Sequence, residues 1–175
     1  TLLVNISGSF AIGLLAALLL PVMGKVKAQG RGTECLSNLR QIGLALQLYV
    51  QDNHNRLPVM RDALFGTNAP ATNYATIDRV LSNYLGSIKV LRCPSDDNQV
   101  FERTASSYAW NVLVNGQDAD GLHVLGRDYD PHNIPLAFDK EGFHRARGPG
   151  KELNFLYGDG RIQNLLVMEG TIEKP

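Results

Sequence analysis

The sequence predicts an α+β chain in which a long N-terminal α-helix, half stalk and half packed on a head, leads into a small C-terminal antiparallel β-sheet head. Three observations carry that prediction. Thr1–Gly24 contains no ionisable side chain. Cys35, Leu39, Ile42, Leu46 and Tyr49 then recur by fours and threes, the spacing of one helix face. From Ser106 onward, short apolar runs alternate with turn dipeptides.

The first element is TLLVNISGSFAIGLLAALLLPVMG, long enough to cross a bilayer core, which needs roughly 20 predominantly apolar residues as helix. A secretory signal peptide would have an apolar core of only about 7 to 15 residues and a small-residue cleavage site. Here the pattern runs straight on into more helix. Asn5, Ser7, Gly8 and Ser9 weaken the first half as a permanent span, a defect that a helix leaving lipid can tolerate. Pro21, with Gly13 and Gly24 nearby, predicts a kink or local melting, because an interior proline deletes a backbone hydrogen bond.

Charge begins with Lys25, Lys27 and Arg31, and helical patterning continues to about Asn53. A single helix over Leu2–Asn53 would be on the order of 80 Å long at a rise of about 1.5 Å per residue. Only its second half bears an apolar stripe, so only that half has a reason to lie on a head. The division predicted is an apolar helix over 1–24, an amphipathic half over 25–53 and a globular head over 54–175. At 175 residues the chain has no room for two ordinary domains.

In the head, Asp52-Asn53-His54-Asn55 and Pro58 end the helix, and Met60–Thr76 reads as a surface loop. Thr76 is placed to cap a short helix with Ile77, Val80, Leu81 and Tyr84 on one face, closed by Gly86. Strands are predicted at Ser106–Val114, Leu122–Leu125, Ile134–Phe138, Leu153–Tyr157 and Arg161–Val167. Asn115-Gly116, Asp120-Gly121 and Gly158-Asp159-Gly160 mark the turns between them, the last for a final hairpin.

The run GLLAALLLP, the basic patch after it and ECLSNLRQIGLALQLYVQDNHNRLP resemble the start of bacterial type IV pilin-like proteins. RCPSDD, SSYAWN and LNFLYGDGRI extend the resemblance to the pseudopilin-like group whose members end in a His…Asp-Gly signature. The resemblance implies a structural, non-enzymatic subunit of a type IV pilus-like filament. Its alternatives are a pseudopilus subunit of a type II secretion system and a membrane-tethered binding module that never polymerises. It implies Leu2, Leu3, Phe10, Ile12, Leu14, Leu15, Leu18, Leu19 and Leu20 as filament-core side chains. The implied partners are copies of the chain, a prepilin peptidase, the pilus assembly machinery and, before assembly, the inner membrane; the final location is the cell surface or the periplasm. The chain departs from the group in three places. Val4 stands where a Glu is usual, with the methylated Phe expected just before Thr1. Asn5–Ser9 interrupt a stretch that is usually Val/Ile-rich. The interval from His144 to Asp159-Gly160 is also longer than usual, so no role carries over to His144.

Lys and Arg total 17 and so do Asp and Glu, which leaves no net field to draw the protein to nucleic acid. Cys35 on the stalk and Cys93 before Pro94 point to a disulfide in an exported protein, with two buried thiols as the alternative. The bond would close a loop of about sixty residues and contribute roughly 4 kcal/mol on the chain-entropy model. His54, His123, His132 and His144 match no zinc-protease or haem-attachment spacing, and no nucleophile elbow occurs, so no enzyme or cofactor is predicted. Asp118, Asp120, Asp128, Asp130 and Asp139 lie in loop-rich sequence that can hold calcium, although solvated turn residues are the better reading. His144, Arg145, Arg147 and Lys151 form a small basic loop, read as solvated ahead of a contact to phosphate or an acidic neighbour.

Overall fold

The structure, a computed structural model, describes residues 2–62, 75–164 and 166, and side chains from Met23 onward. Helix α1 spans Leu2–Asp52. Helix α1 runs without interruption through Gly13, Pro21 and Gly24, so the single chain shows no local melting there. A proline removes one hydrogen bond, and the flanking Leu/Ala-rich run has the propensity to carry the helix past it. The side chains of Leu2, Leu3, Phe10, Ile12, Leu14, Leu15, Leu18, Leu19 and Leu20 lie outside the described residues.

Met23, Lys25 and Val26 are exposed, and the helix meets the head only from about Gly32. The predicted stripe is what it buries: Cys35, Leu39, Ile42 and Leu46 are inaccessible or nearly so. Each such Leu or Ile is worth roughly 1.5–3 kcal/mol of burial. Tyr49 is half-buried, edge-on to Tyr84 at 5.6 Å between ring centroids. Gly43 completes the stripe, since a Cβ there would stand 3.2 Å from Leu156 Cδ1, so the helix backbone rides close to the sheet.

The helix ends without a glycine. His54 and Asn55 both take positive φ, and the Asn55 N–H returns to Val50 O at 3.0 Å. Asn55 Nδ2 then donates to Asp118 Oδ1 and Asp120 Oδ2 at 2.9 and 2.8 Å, while Ala119 N donates to Asn55 O. A distant loop therefore clasps the helix terminus.

Helix α2 (Ile77–Val80) is a single turn, shorter than predicted, and Thr76 makes no side-chain cap to it. Its face is nevertheless delivered, with Ile77 and Leu81 buried because the turn at Ser82–Tyr84 continues the path. Helix α3 (Val100–Thr104) went unforeseen. Strands β1 (Tyr108–Trp110), β4 (Pro135–Asp139), β5 (Phe155–Tyr157) and β6 (Ile162–Gln163) form one antiparallel sheet in the order β1-β4-β5-β6. Strands β2 (Leu122–Val124) and β3 (Arg127–Tyr129) pair separately as a hairpin.

All five predicted strand regions contain a strand; four are trimmed, and that predicted at Ile134–Phe138 is shifted by one residue to Pro135–Asp139. The first is cut at Asn111, whose side chain accepts from Leu113 N and starts a 3₁₀ turn over Val112–Val114. Gly160, at φ +81°, turns β5 into β6 as the Gly-Asp-Gly run requires. Residues 63–74 of the predicted loop and Leu165 and Val167 of the last predicted strand lie outside the described residues. The chain is thus α+β, one long N-terminal helix laid on a small antiparallel sheet.

Candidate functional site

The stalk is fastened to the head by a disulfide between Cys35, on α1, and Cys93, which follows the 3₁₀ turn Ile88–Leu91. Both cysteines are wholly buried. The 58-residue separation gives about 4 kcal/mol on the chain-entropy model. Asn38, one turn along α1 from Cys35, donates to Arg92 O at 2.9 Å and fixes the same crossing point with a second bond.

The segment after Cys93 forms a turn closed by Asp96 N on Cys93 O. Asp96 then reaches forward to α3, accepting from Val100 N and Phe101 N at 3.0 and 2.8 Å, and so caps it four residues early. The same carboxylate accepts from Ser107 Oγ, which in turn accepts from Cys93 N. Burial pushes the Asp96 carboxyl up, but the donors Val100, Phe101, Ser107 and Asn98 together outweigh it and hold the group below its ordinary value. The sequence pieces CPSD and SSY are therefore two halves of one hydrogen-bonded knot.

Beside the disulfide stands a buried polar group from two other segments. His144 Nε2 lies 3.9 Å from Cys93 Sγ and 3.3 Å from Asp139 Oδ2. Asp139 closes β4, and its Oδ2 accepts from both the backbone N and Nδ2 of Asn154, at 2.7 and 2.8 Å. Asn154 Oδ1 accepts from Arg147 Nη1 at 2.6 Å, and Arg147 Nη2 donates to Gly32 O on α1. A Cβ at Gly32 would lie 3.0 Å from Nη2, so a side chain there would press on that guanidinium. Tyr108, whose hydroxyl donates to Cys35 O, borders this site; burial, with the Asp139 charge adding to it, pushes its phenol well up.

The order Cys93, His144, Asp139 is that of a thiol nucleophile with its base and orienting acid. Here the sulfur is spent in a buried disulfide and presents no nucleophile. A separate buried pair joins Lys140 to Asp62 at 3.0 Å. Burial pulls the Lys140 ammonium down, and Asp62 acts against that pull.

The acidic residues named from sequence are not gathered together. Asp118 and Asp120 hold the end of α1 through Asn55, Asp128 is paired with His123 at 2.8 Å, and Asp130 caps the 3₁₀ turn Pro131–Asn133 through His132 N. Asp139 belongs to the disulfide site. Of the basic loop, Arg147 is committed to Asn154 and Gly32, and His144 faces inward, whereas Arg145 and Lys151 are exposed. Sequence reasoning gave His144 no role because its interval to Asp159-Gly160 is long; the intervening residues form the loop that carries Arg147 back to α1. Among the described residues, the one set of three or more His, Cys, Asp or Glu with converging ligand atoms is Cys35, Cys93 and His144.

No family model, curated protein or solved structure matches the chain. Among the residues whose side chains are described, no helix is long and apolar enough to cross a membrane; residues 1–22 are not among them.

Proposed function

We propose that this chain is a non-enzymatic structural subunit of a type IV pilus-like filament, polymerising through the apolar half of α1. The observation that supports this reading most directly is the division of one continuous helix. From Gly32 onward its stripe is covered by the head, whereas Leu2–Gly24, the first part of the same helix, carries no ionisable side chain. In water such a stretch would be an apolar patch larger than monomers tolerate, so lipid, detergent or copies of itself must cover it.

On this reading a peptidase and an assembly machinery handle the subunit at the inner membrane with its head outside. Packing among neighbouring helices then replaces lipid contact as the subunit leaves the bilayer, and many weak contacts accumulate along a helical array. The disulfide and the Asn38 bond serve the same end by fixing the head to the stalk, so that force on one reaches the other.

The experiment is electron microscopy of assembled material beside size-exclusion chromatography. Deleting Thr1–Gly24 is expected to give a soluble folded monomer, while Leu14→Asp or Leu18→Asp in the full chain blocks filaments by burying an unpaired charge at a cost of several kcal/mol. Filaments from the truncated head, or normal assembly of the Asp variants, would reject the proposal.

A further inference from the structure

A structural disulfide has no need of an imidazole and a carboxylate at its side, yet both are built into this one. Cys35 comes from α1, Cys93 from the segment after the 3₁₀ turn Ile88–Leu91, Asp139 from the end of β4 and His144 from the following loop. The four are 0, 0, 1 and 5% exposed. Cys35 Sγ, Cys93 Sγ and His144 Nε2 all lie within 4.8 Å of one another. Asp139 Oδ1 is buried with no hydrogen-bond partner, although its other oxygen is well supplied.

The geometry points to a metal site in the reduced chain: with the Cys35–Cys93 bond opened, both thiolates, His144 Nε2 and an Asp139 oxygen bind one Zn²⁺ as a tetrahedral S₂NO set. Zinc bonds of roughly 2.0–2.2 Å to N and O and about 2.3 Å to S give a tetrahedron with an N···O edge of about 3.3 Å and S···N edges of about 3.6 Å. The distances here are 3.3 Å from His144 Nε2 to Asp139 Oδ2 and 3.9 Å from His144 Nε2 to Cys93 Sγ. The sulfurs must part to about 3.8 Å once they are no longer bonded, and the Asp139 carboxylate, which reaches His144 Nε2 but does not belong to the converging trio, must turn toward them.

Two thiolates with one imidazole favour zinc over calcium or magnesium, which take oxygen. Asn154 steadies the Asp139 ligand with two hydrogen bonds, and Arg147 steadies Asn154 while adding positive charge near a set that carries three negative charges against the ion's two. A cleft of about 1050 Å³ between α1 and the His144 loop, bordered by Lys25, Arg31, Ser95, Asp97, His144 and Arg147, reaches the site at His144.

The chemistry balances with a dithiol reductant. Its two thiols give two electrons and two protons to the Cys35–Cys93 bond, which breaks as the reductant's own disulfide forms. Zn²⁺ then displaces the two cysteine protons. Oxidation of the thiolates by a disulfide of another molecule reverses the sequence and expels the ion. Either state pins the stalk to the head, one by a covalent bond and the other by a metal.

The test uses the full chain in detergent, reduced and then freed of reductant without air, with Co²⁺ as the probe and Zn²⁺ as competitor. One Co²⁺ per reduced chain is expected, with thiolate-to-cobalt charge-transfer and tetrahedral d–d bands that Zn²⁺ abolishes, and no uptake by the oxidised chain. His144→Ala and Asp139→Asn should each weaken binding by more than about tenfold and alter the d–d bands. Circular dichroism of the same variants in their oxidised form checks that they fold, and Cys35→Ser replaces any that does not. Absence of stoichiometric uptake, or uptake with unchanged bands and affinity in the variants, overturns the site. Loss with His144→Ala but not with Asp139→Asn overturns the four-ligand set.

Discussion

Lys140 Nζ lies 3.0 Å from Asp62 Oδ1 with the two side chains only 2 and 1% exposed, so the sheet is tied to the segment that follows α1 by a desolvated ion pair. Thr104 Oγ1 accepts a further bond from the same ammonium at 3.0 Å, bringing in the end of α3. A pair this deep contributes little net stability against an apolar replacement, but breaking it takes the direct counterion from a buried charge.

Lys140→Met or Asp62→Leu alone is therefore expected to destabilise the fold by about 3–5 kcal/mol. The joint change Lys140→Met with Asp62→Leu should cost much less than the two single changes summed. Urea denaturation of the four proteins as a double-mutant cycle measures this, and additive losses would show that the two groups are not coupled.

The Asp96 knot makes stability depend on acid. Its folded carboxyl sits below the ordinary 3.8, so the unfolded chain takes up the proton first as pH falls. The contribution is fully present above 3.8 and is lost as pH drops through the lower, folded value. Asp96→Asn cannot titrate and is expected to remove that part of the acid limb, at a cost in stability at neutral pH from the weakened cap of α3. Denaturation midpoints across the acid range provide the check; an unchanged acid limb would mean that other carboxylates govern it.

The long helix and its buried face were legible because Cys35, Leu39, Ile42 and Leu46 repeat at helical spacing over a length that no strand reaches. The disulfide was legible as one of two alternatives, from compartment and from placement on stalk and head. What joins Cys93 to His144, Asp139 and Asn154 was not, since those residues are far apart in sequence and meet only through sheet register. Helix α3 was missed for a local reason: its cap, Asp96, lies four positions upstream of Val100, outside the usual N-cap place. Strand β3 was missed because the β2–β3 turn is Leu125-Gly126, and a leucine gives no warning of positive φ.

That turn offers a stabilising change. Leu125 has φ +52° and Gly126 φ +80°, the pattern of a two-residue hairpin turn that favours Asn-Gly. Leu125 is also 84% exposed, so its side chain gains little from packing. Leu125→Asn is expected to raise stability by about 1 kcal/mol, the order of the strain that an L-residue bears in the left-handed region. A chemical-denaturation midpoint no higher than that of the parent would show the turn to be unstrained.

Fold stability and assembly should separate on the outer face of α1. Leu44 and Leu48 are 60 and 49% exposed, on the side opposite Cys35, Leu39, Ile42 and Leu46, and the head leaves them uncovered. A leucine in water on a monomer is unremarkable by itself. On a subunit of the proposed filament, however, this uncovered face would turn toward neighbouring subunits. Leu44→Glu is expected to change the unfolding free energy by no more than about 0.5 kcal/mol, as surface substitutions usually do. In assembly the same glutamate would place a charge against apolar helix surface, so filament yield by electron microscopy should fall sharply. Loss of the fold would mean that Leu44 supports the head, and an unchanged filament yield would mean that this face meets no neighbour.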